Sequence, residues 1–107
     1  MTIESFKKDK MIKPYFLWFL KSNLMMPKVI HMVILQGGEK QEGIELILSY
    51  QKAQKTLVNK LKKEGIEEGS MIAVVSEVCD HFIEEMGEKT IMESSPELLI
   101  RYDYNQN

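Results

Sequence analysis

At 107 residues, with 44% apolar and 28% charged side chains, the chain can bury a core without disulfides or metals, and its composition excludes a disordered polymer. A single cysteine, Cys79, excludes an intramolecular disulfide, and with it a disulfide-framed secreted domain, and points to a reducing cytoplasm. The net charge of −2 hides a polarity: residues 1–63 hold twelve lysines against five acids (+7), and residues 64–107 hold eleven acids against Lys89 and Arg101 (−9).

The chain reads as one helical domain, 1–107. Residues 1–13 are polar and basic with Ile3, Phe6 and Met11 spaced apart, a flexible basic arm or a short amphipathic turn. Pro14 suits the first position of a helix, where its missing N–H costs nothing. That helix is expected from Tyr15 to about Ser22, apolar almost all round. Asn23 then caps a second segment, Leu24–Gln36, which Gly37-Gly38 ends. Its β-branched Val29, Ile30, Val33 and Ile34 make a strand over 28–35 the alternative.

The third segment has Leu46, Tyr50, Ala53, Leu57 and Leu61 at steps of three and four, one face of a helix, widened by Ile47 and Val58. Gly65 is expected to stop it, with Ile66 folding back in a Schellman ending. Ser70 is the expected cap of a fourth helix, Met71 to about Met86, with Met71, Val75, Val78, Phe82 and Met86 on its stripe and Gly87 at its end. The tail, 88–107, reads two ways. Ser95-Pro96-Glu97 can open a short helix over Leu98–Tyr104, or the tail can form a short β pair that includes Thr90–Met92. The expected fold is therefore mainly α. It is a small four- to five-helix bundle with a central antiparallel αα-hairpin of the third and fourth helices, the C-terminal β pair being the alternative for the tail.

Tyr15–Leu35 is the most apolar stretch and is about long enough to span a membrane. Lys21, Asn23, Lys28 and His31 break it below the roughly 18 apolar residues a span requires. A signal peptide would need a longer apolar region and a small-residue cleavage site. No stable membrane insertion is expected, and the protein is read as soluble.

Three functions compete. A helix apolar all round needs neighbours on every side, and a small bundle barely supplies them. Tyr15, Phe16, Trp18, Phe19, Leu20, Met25, Met26, Ile30 and Val33 are therefore expected at a homodimer or partner interface, where methionine adapts to varied surfaces. The leading expectation is a non-catalytic regulatory or adaptor protein acting through protein–protein interaction as a homodimer, with no cofactor.

The second is nucleic-acid binding. Lys7, Lys8, Lys10 and Lys13, with the aromatics of 6–19, have the composition of a single-strand binding surface. Lys52, Lys55, Lys60, Lys62 and Lys63 add a second basic stretch. Against it stand thirteen lysines to one arginine and a pI of about 5.7. The lysine bias also fits an AT-rich bacterial or phage genome.

The third is a metal-dependent nucleotide hydrolase. Glu77 and His81 are four apart on the fourth helix, with Asp80 and Glu84 beside them, a spacing that lets side chains meet on one divalent ion. Glu42-x-x-Glu45 and Glu77-x-x-Asp80 partly resemble the EExxE and ExxD acidic pairs of MazG-type nucleoside-triphosphate pyrophosphatases, which hold Mg²⁺. The second pair matches. In the first, Gln41 stands where the family has a glutamate, and Gly43 lies inside it. The acidic stripe lies opposite the apolar face and is expected to meet water. Cys79 and His81, two apart on a helix, point about 200° from each other and form no nucleophilic pair. Gly37-Gly38-Glu39-Lys40 lacks the spacing of a phosphate loop.

Overall fold

In the computed structural model, residues 2–36, 40–96, 98 and 100 are described, with backbone alone for 28–36, 40–44 and 46. They form five helices in chain order: α1 Ile3–Lys8, α2 Lys13–Gln36, α3 Lys40–Lys63, α4 Glu68–Met86 and α5 Glu88–Glu93. The described residues contain no strand, and the fold is the mainly α small bundle that the apolar periodicity predicts.

The basic N-terminus takes the form of a short docked helix. Thr2 caps α1, its hydroxyl accepting from the Ser5 N–H at 3.2 Å. Phe6 is fully buried, so it anchors α1 to the core. The Asp9 carboxylate accepts the Met11 N–H at 2.8 Å, and the Asp9 carbonyl accepts from Lys13, a turn that aims the chain into α2.

From Lys13 to Gln36 the chain is a single helix rather than two. Asn23 is therefore not a cap, and 28–35 is helical rather than a strand. Pro27 lies inside α2 and is exposed; it removes the N–H bond to the Asn23 carbonyl. The local break signals lose because α2 packs along α3 more extensively than any other pair of helices does. Such packing supplies most helical stability in proteins and outweighs one missing bond. Tyr15, Phe16, Leu17 and Leu20 enter the core, and Phe19 stacks at 5.7 Å, centroid to centroid, on Tyr50 of α3.

Of the α3 face expected from the spacing, Ala53, Leu57 and Leu61 are buried and Tyr50 and Val58 half-buried; Ile47, expected to widen it, is exposed, and the Leu46 side chain lies outside the described residues. Its end is the predicted Schellman motif. The Ile66 N–H donates to the Leu61 carbonyl at 3.1 Å and Gly65 donates to Lys62 at 3.0 Å, with Gly65 at φ +89°. Ile66 folds onto the core. Helix α4 starts three residues before the expected Met71. Glu67, with no side-chain cap bond, takes the N-cap place expected of Ser70. The α3–α4 hairpin is joined by residues 64–67, but these two helices touch only sparsely.

Gly87, at φ +82°, ends α4 and opens α5 with no residue between. Its N–H donates to Ile83 and its carbonyl accepts from Ile91. Ile91 is fully buried, and Ile100 joins the same core. Thr90–Met92 lies in α5 and so is helical. Pro96, Leu98 and Ile100 also have helical backbone. The remainder of the expected tail element, 101–107, lies outside the described residues, as does the Gly37-Gly38 stop.

Candidate protein-docking groove

The sparse contact between α3 and α4 leaves a groove of about 370 Å³. Phe19, Leu20 and Asn23 of α2 form its floor. Gln54, Leu57 and Val58 of α3 form one wall. The other wall is α4, from Met71 and Ile72 through Val75, Ser76, Cys79 and Asp80 to Ile83. The lining is mostly apolar, with the amides of Asn23 and Gln54, the Ser76 hydroxyl and the Asp80 carboxylate as its polar groups.

The α4 wall exists because of how that helix is rotated. Its buried residues are Met71, Val74, Val78, Cys79 and Phe82. The expected stripe had Val75 in place of Val74. The small rotation brings Val74 inward and turns Ile72, Val75 and Ile83 toward the groove. Ile72 is 81% exposed, the most exposed large apolar side chain among the described residues. The expected stripe contained Met71 and Val75 of this wall, and Ile72 and Ile83 adjoin its Met71 and Phe82 in sequence.

The residues expected at an interface divide. Tyr15 and Phe16 are buried within the chain and are not available to a partner, whereas Leu20, also buried, lies at the floor of the groove. Trp18 and Phe19 are half-buried against the core. Met25 and Met26 are half-buried. The side chains of Ile30 and Val33 lie outside the described residues.

Four of the lysines proposed for nucleic acid are engaged elsewhere. Lys7 pairs with Glu4 at 2.9 Å, and Lys62 with Glu68 at 3.0 Å. Lys13 lies 5.5 Å over the Phe82 ring, and Lys60 lies 5.3 Å over Tyr15. Lys8, Lys10, Lys52, Lys55 and Lys63 are exposed. The Glu4 hydrogen bond raises the Lys7 pKa against desolvation, which lowers it, and the charges of Glu4, Glu77 and Glu84 raise it further. That same bond, followed by the Lys7 charge, lowers Glu4. Lys7 thus faces the acidic side of α4, so α1 sets part of the basic front against the acidic back.

The alternative metal set is not assembled. Glu77, Asp80 and Glu84 are exposed, and His81 Nε2 lies 3.1 Å from Glu85 Oε2, with its ring against the Phe82 edge. Among the described residues no three His, Cys, Asp or Glu side chains are placed to hold one ion. Glu42, in the first acidic pair, has no described side chain. Cys79 is nearly covered. Burial first, and then the Asp80 charge, push its thiol up to about 12, so at neutral pH it is a protonated, inert group in the groove wall.

No described helix is long and apolar enough to cross a membrane. Comparison with protein-family models, curated proteins and solved structures gives no match.

Proposed function

We propose that this protein is a non-catalytic regulatory or adaptor protein of the cytoplasm that acts by binding protein, and that it does so as a homodimer. The observation that carries this reading is the apolar groove walled by the exposed Ile72. Contiguous apolar surface left open to water marks interaction sites. Three helices present the floor and sides of an open channel, and a helical bundle buries such an apolar face against neighbouring helices. The engagement of Lys7, Lys13, Lys60 and Lys62 within the chain also favours this reading over a nucleic-acid surface.

The test is solution mass by light scattering at low and high salt, with the 260/280 nm absorbance ratio recorded. The expected result is twice the 12.5 kDa chain mass at both salts, free of nucleic acid. Ile72→Glu is expected to give the single-chain mass with helicity unchanged, since Ile72 supports little of the core. A monomer that carries nucleic acid and sheds it in salt would overturn the proposal.

A further inference from the structure

We infer that the groove is closed by a second copy of this chain, in a two-fold arrangement that sets the α3 wall of each copy against the α4 wall of the other. This rests on the homodimer reading above and adds the face and the register.

The edges of the groove carry opposite charge. On α3, Lys55 lies three residues before Val58 and Lys62 four after it, so both share the outer side of that wall. On α4, Asp80 is itself in the lining, four residues after Ser76, and Glu84 follows one turn on. Lys55, Asp80 and Glu84 are exposed. Between described side chains, neither Lys55 nor Asp80 forms an ion pair; only Lys62 does, with Glu68. An apolar strip is thus bordered by positive charge on one side and negative charge on the other, and the charges nearest its middle form no ion pair between described side chains.

A two-fold interface is self-complementary: each patch meets the same patch on the other copy. Two orientations of the axis lay groove on groove. An axis running across the walls sets α3 on α3 and α4 on α4, which places lysine against lysine and acid against acid. An axis parallel to the walls sets α3 on α4 twice, which places Lys55 against Asp80 of the partner subunit in both halves. Like-charge contact is strongly unfavourable across an interface, so charge selects the parallel axis.

The heights along the helices agree with this pairing. The Lys62–Glu68 ion pair, which joins the end of α3 to the start of α4, serves as the reference height. Lys55 is seven residues before Lys62, and Asp80 is twelve after Glu68. The offset of five residues is about 7–8 Å along the axis, which a lysine and an aspartate side chain close between them. In this register Ile72 and Val75 of each copy leave water against the partner's Gln54–Val58 wall. The apolar strip supplies affinity and the charged edges supply register.

The test is a charge swap read as dimer dissociation constant by sedimentation equilibrium, on wild type, Asp80→Lys, Lys55→Asp, their equimolar mixture, and the double variant. Each single variant is expected to weaken self-association about tenfold or more, since like charges then face each other twice. The mixture is expected to regain wild-type affinity as a heterodimer, because every edge contact is again lysine against aspartate. The double variant in one chain is expected to regain it as a homodimer, which also guards against a fold defect in either single variant. A stable dimer indifferent to all these changes overturns this inference while leaving the homodimer reading standing. A wild-type monomer at every concentration overturns both. Recovery in neither the mixture nor the double variant also overturns the pairing.

Discussion

Cys79 shows how one residue's role depends on what covers it. Its sequence neighbours, Asp80 and His81, resemble the surroundings of a reactive thiol. On the helix His81 points elsewhere, toward Glu85, and burial keeps the thiol protonated up to about 12. Native protein at neutral pH is therefore expected to react with a thiol reagent far more slowly than unfolded protein, measured by alkylation with and without denaturant. The same shift has a sign in stability. The folded chain holds the proton to about 12, whereas an unperturbed thiol releases it near 9.0. This contribution is complete below about pH 9 and is lost as pH rises toward 12. Cys79→Ala is expected to flatten the alkaline limb of a stability–pH curve. Cys79 follows Val78 of the expected stripe in sequence, but its place in the groove wall required the α4 rotation that packing against α1, α2 and α5 sets.

Among the elements, α1 and α5 are the shortest at six residues each, and α1 depends on one side chain. Six residues are too few to form a helix alone in water. Phe6 is fully buried, and its ring lies 6.3 Å from Phe16, which in turn lies 6.3 Å from Phe82. This aromatic chain ties α1 through α2 to α4. Phe6→Ala is expected to cost about 3–5 kcal/mol in chemical denaturation and to make the amides of residues 3–8 exchange fastest among the helices. Helix α5 is held differently. The Lys21 ammonium donates to the Ser94 carbonyl at its C-cap, where a cation complements the helix dipole, and Ile91 is buried below. Neither attachment was legible beforehand. Phe6 and Ile91 have no periodic partners in their short segments, and Lys21 bridges 73 positions of sequence.

For the whole molecule the dominant fact is the separation of charge. Of the ion pairs between described side chains, Lys62–Glu68 alone joins the basic 1–63 to the acidic 64–107. Helix α1 adds the longer-range attraction of Lys7 to Glu77 and Glu84. Much of both charges stays on the surface, which favours association in which unlike ends meet. In the proposed dimer, salt is expected to weaken affinity modestly without abolishing it, measured as the dissociation constant across a salt series. Exposed charge pairs are screened, whereas apolar burial is not. Loss of the dimer at high salt would show that the groove contributes little.

What the sequence determined by itself was the helical class, the α3 face, the Schellman ending at Gly65, the α4 terminus at Gly87 and the polarity of charge. These follow from local chemistry: a 3.6-residue period, a residue tolerant of positive φ, and a count of side chains. The tertiary structure decided the rest. It joined two expected helices into α2 across Asn23 and Pro27, because packing on α3 outweighs local break signals. It drew Tyr15, Phe16 and Leu20 into the core. It held α3 and α4 apart, so that the residues between them became a groove. Each of these outcomes depends on contacts between residues far apart in the chain, whose energies no local pattern records.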